Sequence, residues 1–380
     1  DHGGIQAVLK DLLRSWLRRA VSLPWRLAAA TGMYHGEGPP VQFVVENAAW
    51  AIRWVGEHVR DEVEAIAPGT IATTVEPQRL VTQVVHFGSQ YMWLAWGRHM
   101  SKSNRYVVSF YHGKREDGPE VSRHIDEFLA SVPRLSRIVT SSSLIEQRLL
   151  VWGVPREQVV RIPIGVDTKL FCPPTSAQRA AARAKLGIPI DAIVVGSFQK
   201  DGVGWGDGME PKLIKGPDVF VKAIERLKRD VPVVVMLTGP ARGFVKQGLD
   251  SIGVPFVHRY VQVHAELVEC YHALDLYFVT SREEGGPMGL MESMASGVPV
   301  VSTAVGMAPD LIMDGVTGGL VESEDVKGIV ERALRILSLS ENESARLKAQ
   351  AVEAVKVCDW SVVGRRHLEE VYKPLLNHAS

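Results

Sequence analysis

The sequence predicts an α/β protein built from two parallel-sheet domains, and three observations lead there. Short β-branched runs alternate with helical stretches, the rhythm of parallel sheets covered on both faces. That rhythm halts at Pro173 and Pro174 and then restarts. Finally, 380 residues at roughly 150 per domain leave room for two domains, each long enough to bury a sizeable core.

The chain opens on a helical pattern. Apolar residues fall at Ile5, Val8, Leu9, Leu12, Leu13, Trp16, Leu17, Ala20 and Val21, while Lys10, Arg14, Arg18, Arg19 and Arg26 occupy other positions. With Trp16 and Trp25, a basic amphipathic helix over residues 5–22 could lie on an anionic membrane or pack on its own domain, and the pattern alone leaves both open. Gly36, Gly38, Pro39 and Pro40 break it, setting residues 1–38 apart.

From residue 41 come VQFVVE, a helix from Ala51 to Ala65, IATTV, VTQVVHF, RYVVSFY, RIVTSS and VVRIPI, a first Rossmann-like domain over 39–182. DAIVVGSF, PVVVMLTG, PFVHRY, LDLYFVTS, PVVST and GGLVES make a second over 183–359. Ligands of open parallel sheets bind beyond the carboxyl ends of the strands, so the chemistry is expected in a cleft between the two domains.

Composition narrows the partners. Forty-three basic residues balance 43 acidic ones, so no global field draws the chain to nucleic acid. Cys172, Cys270 and Cys358 show no CxxC spacing, which argues against a structural zinc or a disulfide framework and for a reducing compartment. No apolar run approaches the 18 or so residues that span a bilayer. The chain begins at Asp1 without methionine, so a trimmed targeting segment stays open.

The most informative stretch is SREEGGPMGLMESMASGVPVVST, Ser281 to Thr303. It follows an apolar strand, and two glycines and a proline precede a helical run. A strand, a glycine turn and a helix start present backbone N–H groups to an anion. Glu284 falls in the turn; Glu292, eight residues on, lies about two helical turns later along the same face. Two carboxylates so spaced can accept hydroxyls at opposite ends of an extended ligand such as a nucleotide sugar. An exposed acidic helix start is the plainer explanation of the same residues.

The whole stretch resembles the donor-binding signature of retaining GT-B glycosyltransferases of family 4, the glycosyltransferase group 1 class. The resemblance extends to Arg137–Pro173 with its IPIGVDTKLF segment, to Lys215-Gly216-Pro217-Asp218, to AVGMAPDLIMDGVTGGLVES and to WSVVGRRHLEEVYKPLL. It implies a GT-B fold, two Rossmann-like domains facing a central cleft, whose acceptor-side N-terminal domain is completed by residues 360–380.

Carried over by position, the resemblance implies that Glu284 bonds a hydroxyl of the transferred sugar and Glu292 the ribose. Gly285, Gly286, Met288, Gly289 and Leu290 would cradle sugar and phosphate, and Lys215 would meet the diphosphate. The family's arginine falls where this chain has Gln199 and Lys200. His112, ending the strand RYVVSFY, matches an active-site histidine. His86, Ser89, Gln90 and Tyr91, after another strand, are acceptor-side candidates, with a polar turn packed by aromatics as the alternative. Asn47, Ala48 and Ala49 stand where the family carries a glycine-rich loop. The glycine-rich loop GVGWGDGMEP with Trp205 could be a lid or an oligomer contact.

The function expected is transfer of a sugar from a nucleotide diphosphate sugar to a glycan or lipid-linked acceptor hydroxyl, with retention, in cell-surface glycan or glycolipid synthesis. No metal or other cofactor is expected, since no D-x-D occurs and Lys200, Lys212 and Lys215 can meet the leaving charge. The expected place is the cytoplasm, with peripheral contact at the inner membrane face through residues 5–22. Two rivals are a silent GT-B subunit that binds a glycan or partner, and a GT-B sugar-nucleotide epimerase.

Overall fold

A computed structural model describes residues 2–47 and 51–377; of residues 2–9 and Asp11 it describes the backbone only. The chain divides into two compact units. One gathers residues up to Ser141, Ile145–Ile164 and the segment from Trp360 on; the other holds Ser142–Leu144 and Gly165–Asp359.

In the first unit, β1 (Val41–Val44), β2 (Ile71–Thr74), β3 (Val84–Phe87), β4 (Arg105–Ser109), β5 (Arg137–Thr140) and β6 (Val159–Arg161) form a parallel sheet in the order β2-β1-β3-β4-β5-β6. Strands β1 and β3 are buried throughout, Gln42 and His86 included, as expected when helices cover both faces of a sheet. Phe87, Trp93, Phe110, Phe128 and Ile138 pack in its core. The helix Trp360–Arg366 packs on the helix Ala51–Ile66, with the Trp360 ring 5.1 Å from that of Trp54. Residue 364 must be glycine, because a Cβ there would lie 2.2 Å from Cβ of Glu62.

The N-terminal helix runs His2–Ala30, further than the expected 5–22. One face packs on the unit: Arg18 donates to the Ala95 carbonyl at 3.3 Å, Ser22 is fully buried, and Trp25 meets Tyr34 at 5.1 Å. The opposite face carries exposed leucines and Trp16.

In the second unit, β7 (Ile193–Phe198), β8 (Val233–Thr238), β9 (Phe256–Arg259), β10 (Leu276–Val279), β11 (Val300–Thr303) and β12 (Gly319–Val321) are parallel in the order β12-β11-β10-β7-β8-β9. Read from β9, this is the Rossmann order 3-2-1-4-5-6, whose direction reverses between β7 and β10. The turns leaving those two strands therefore emerge side by side, where ligands of such sheets bind.

The boundary between units falls after Ile164, not at the expected residue 182. The helix Ser176–Leu186 is held to the second unit by Arg179 and Arg183, which pair with the two oxygens of Asp275 at 2.6 and 2.7 Å. Arg183, 2% exposed, also donates to the Ala273, Ile190 and Ala192 carbonyls. The proline segment is thus a covalent lead into the second unit rather than a free linker.

Candidate active site

Two turns build the site. After β7 the chain reaches Lys215 and Gly216, and the helix Pro217–Leu227 begins. Gly216 has φ +65°, and a Cβ there would fall 1.8 Å from the Thr280 carbonyl oxygen, so only glycine lets this turn lie against the end of β10. Thr280 Oγ1 donates to the Gly216 carbonyl at 2.9 Å. Arg282 closes the joint by donating through two nitrogens to both oxygens of Asp218, each at 2.9 Å, the planar fork that arginine supplies and lysine does not. It pairs with Glu324 as well, and these carboxylates raise its pKa further, the Asp218 hydrogen bond most.

Clamped in this way, Lys215 Nζ reaches Glu284 Oε1 at 2.6 Å, and Ser281 Oγ donates to the same oxygen at 2.9 Å. Gln199 donates to the Lys215 carbonyl at 3.3 Å. Lys200 lies 4.5 Å from the ring centroid of Trp205, a cation–π contact. Burial and then the charges of Lys215 and Lys200 depress the pKa of Lys212, so three lysines share one field beside Glu284. Lys212 itself is exposed on its loop.

From Glu284 the chain turns through Gly285 and Gly286 into the helix Met288–Ala295. A Cβ on Gly289 would meet Tyr277 Oη at 2.0 Å, so this glycine lets the helix start settle on β10. Leu290 departs from expectation: its side chain is fully buried and its N–H donates to the Pro287 carbonyl at 3.0 Å, which leaves it no face for a donor. Glu292 is 2% exposed. Tyr271 donates to its Oε2 at 2.7 Å, and His264 Nε2 lies 2.9 Å from its Oε1. Burial disfavours charge on His264, but the hydrogen bond and charge of Glu292, with Asp167 behind, prevail and raise its pKa above 6.5.

The loop between Lys200 and Lys212 is pinned at its base. Val203 donates to the Glu210 carbonyl, and Lys212 to that of Asp201. Beneath, the buried Arg242 donates to Asp201 Oδ1 at 2.9 Å and to the Ser197 and Thr238 carbonyls at 2.6 and 2.7 Å. Gly243 and Phe244, at the start of the helix Gly243–Ser251, donate to the Asp207 and Gly208 carbonyls, so the loop itself caps that helix. Above that base Val203, Trp205 and Met209 are exposed, Trp205 by 66%.

In the first unit, His112 is exposed just beyond β4, and the buried Gln90 donates to its carbonyl at 3.2 Å. Tyr91 is half exposed and stacks on His124 at 4.2 Å. The other acceptor-side candidates face inward. His86 is fully buried, with Nδ1 2.8 Å from Tyr372 Oη and Nε2 2.9 Å from Ser109 Oγ, so it cannot touch an acceptor. Ser89 caps the helix Gln90–Trp96 by accepting from Met92 N at 3.3 Å. Asn47 offers its carbonyl to Arg53 at 3.1 Å, while Ala48 and Ala49 lie outside the described residues.

Among the described residues, no group of three His, Cys, Asp or Glu side chains could hold a metal ion, and no helix is long and apolar enough to cross a membrane. Cys172, Cys270 and Cys358 are free thiols.

Residues 207–339 match the family model described as glycosyl transferases group 1. These residues belong to that family. They contain the Lys215 turn, Glu284, Glu292 and the pinned helix start described above. A D-inositol 3-phosphate glycosyltransferase of Corynebacterium aurimucosum is 31% identical over 284 residues, covering 70% of this chain and 63% of that protein. Its counterpart from Xylanimonas cellulosilytica is 30% identical over 227 residues, covering 57% and 51%. The chain thus spans between half and two thirds of these relatives' length.

Solved glycosyltransferase folds superpose on most of the chain. Sucrose-phosphate synthase from Thermosynechococcus elongatus matches with a TM-score of 0.69 at 17% identity, over 90% of this chain and 100% of that one. Anabaena HepE, solved with UDP-glucose, matches with a TM-score of 0.70 at 15% identity, over 87% and 98%. The chain has the GT-B fold.

Proposed function

We propose that this chain transfers a sugar from a nucleotide diphosphate sugar to an acceptor hydroxyl with retention of configuration. The observation that carries the reading is the 2.6 Å contact of Lys215 Nζ with Glu284 Oε1 at the start of the helix that holds Glu292. Glu284, then the cation and helix start, then Glu292 would match the order sugar, diphosphate and ribose of such a donor. HepE was solved with UDP and with UDP-glucose, which supports a donor of that class.

In this reading Lys215, with Lys200 and Lys212 adding to the field, meets the diphosphate as a charge-assisted donor. The backbone of Gly285, Gly286, Met288 and Gly289 faces sugar and phosphate, Glu284 orients sugar hydroxyls, and Glu292 accepts from the ribose. The bond from the anomeric carbon to the diphosphate oxygen breaks, and the acceptor oxygen bonds that carbon from the same face. The acceptor proton passes to the departing phosphate oxygen. Glu284, held by Lys215 and Ser281, positions the sugar and does not attack it. Fixed cations and N–H dipoles stabilise the leaving charge, so the reading needs no metal. In this reading His112 is a catalytic residue of the first unit. The acceptor is a hydroxyl of a glycan or lipid-linked molecule, reached in the cytoplasm by a protein peripheral to the membrane.

Incubation with UDP-, GDP- and ADP-sugars without acceptor tests this, because a transferase slowly releases nucleotide to water. A silent binding subunit, favoured by Gln199 and Lys200 at the family's arginine position, binds the sugar nucleotide and releases none. An epimerase alters the sugar and needs no acceptor. The anomeric configuration of a trapped product, read by NMR, decides retention.

A further inference from the structure

The N-terminal helix is packed on one side only, and the other side is not an ordinary surface. Leu12, Leu13, Trp16, Leu17, Leu23 and Leu27 are each between 43% and 64% exposed. At 3.6 residues per turn they fall within an arc of about 140° and run for roughly 22 Å along the helix. Ser15, Arg18, Ser22 and Trp25 occupy the opposite arc. There Ser15 Oγ lies 3.3 Å from His99 Nε2, Arg18 sits 5.4 Å from the Trp96 ring centroid, and Arg79 covers Trp25 at 5.5 Å. The exposed stripe therefore points away from the unit.

Charge defines what fits it. Lys10 and Arg14 border one side of the stripe, Arg19 and Arg26 the other. Residues 2–30 hold these four and Arg18 against a single acid, Asp11, in a chain whose formal charge is zero. On the packed side, burial first and then the charges of Arg98, Arg18, Arg26 and Arg19 lower the pKa of His99. An apolar stripe bordered on both sides by cations, with a tryptophan among its leucines, matches the depth profile of a bilayer interface. On such a surface the leucines would meet acyl chains, Trp16 the headgroup boundary, and the cations would reach outward to phosphates.

We propose that this stripe, residues 12–27, is the surface by which the protein docks on an anionic lipid bilayer, with the helix lying in the membrane plane. It deepens the peripheral placement above, rests on that reading only for the acceptor's nature, and is independent of donor chemistry. Attachment needs both the apolar stripe and its borders, because surface attraction is screened beyond a Debye length.

The test is co-sedimentation of the full chain with phosphatidylcholine vesicles, with and without about one third phosphatidylglycerol, at low and high salt. Two double variants accompany it, Leu12→Ser with Trp16→Ser and Lys10→Ser with Arg19→Ser. All four residues are exposed, and thermal melting checks folding. Wild type is expected on anionic vesicles, with binding at least about tenfold weaker on neutral ones, at high salt and in each variant. Equal sedimentation of wild type and both variants overturns the proposal. So does a dimer, seen by light scattering, that the apolar variant dissociates while vesicle binding stays unchanged. Nucleotide release is read in parallel, so failure to dock is distinguishable from failure of the donor reading.

Discussion

Lys215 and Glu284, 69 residues apart, meet at 2.6 Å where the turns leaving β7 and β10 touch. The pair is three-quarters buried or more on both sides, so neither charge is left to water alone. Lys215 has three donors and can hold Glu284 while bonding a phosphate oxygen. Lys215→Met is expected to weaken nucleoside diphosphate binding by about 1.5–3 kcal/mol, roughly 10- to 100-fold, and monophosphate binding much less. Calorimetric titration of both ligands checks it; equal losses would make the lysine structural.

His264 and Glu292 form the second pair, with Asp167 as the other charge and Phe171 and Tyr271 as the aromatic walls. Because the folded pKa of His264 is raised, its pairing stabilises the fold below about pH 6.5 and is lost as pH rises through the folded value. In the proposed reading the same cation occupies a Glu292 oxygen that ribose would need. Diphosphate affinity is therefore expected to rise between about pH 6 and pH 8 in wild type and to change less in His264→Ala. Comparing the two proteins cancels the ionisation of the ligand. Parallel pH profiles would show that His264 does not compete.

The first unit carries a different titration. His367 and His86 are buried against each other and against Tyr372. Burial, partly opposed by the hydrogen bond to the Val363 carbonyl, lowers the pKa of His367 to about 4, and burial also holds His86 well below 6.5. The unfolded chain binds these protons first, so stability present above about pH 6.5 is lost as pH falls toward 4. His367 Nε2 has no partner among the described residues, so His367→Leu is expected to flatten the fall of Tm over that range. Thermal melting at a series of pH values checks it, and an unchanged slope would remove His367 as the cause.

The strand rhythm, the KGPD turn and the Glu284 to Glu292 stretch were legible because each is a local pattern, a period or a turn written in neighbouring residues. What was not legible is what holds them. The Asp218 to Arg282 fork spans 64 residues, and His264 reaches Glu292 from a separate loop. His86 looked like a strand-end site residue because its period is right, yet Tyr372, 286 residues on, takes its ring into the core. Leu290 shared a motif with the donor residues but points inward. The helix boundary at Ala30 was masked by Pro24, which the helix contains. Nothing local marks such long-range closures, except that Arg183 and Arg242, both charged, each stand beside a run that must be buried.

The site's central claim is that Glu284 and Glu292 hold opposite ends of one donor, and titration of the sugar nucleotide and the bare nucleoside diphosphate into three proteins tests it most directly. In wild type, one base among uridine, guanosine and adenosine is expected to bind as diphosphate and as sugar diphosphate. Glu292→Ala is expected to lose at least about tenfold for both ligands, the cost of a charged hydrogen bond. Glu284→Ala should keep the bare diphosphate and lose the added affinity of the sugar. Equal loss of the sugar-free ligand in both variants, or no binding of any diphosphate to wild type, would contradict it.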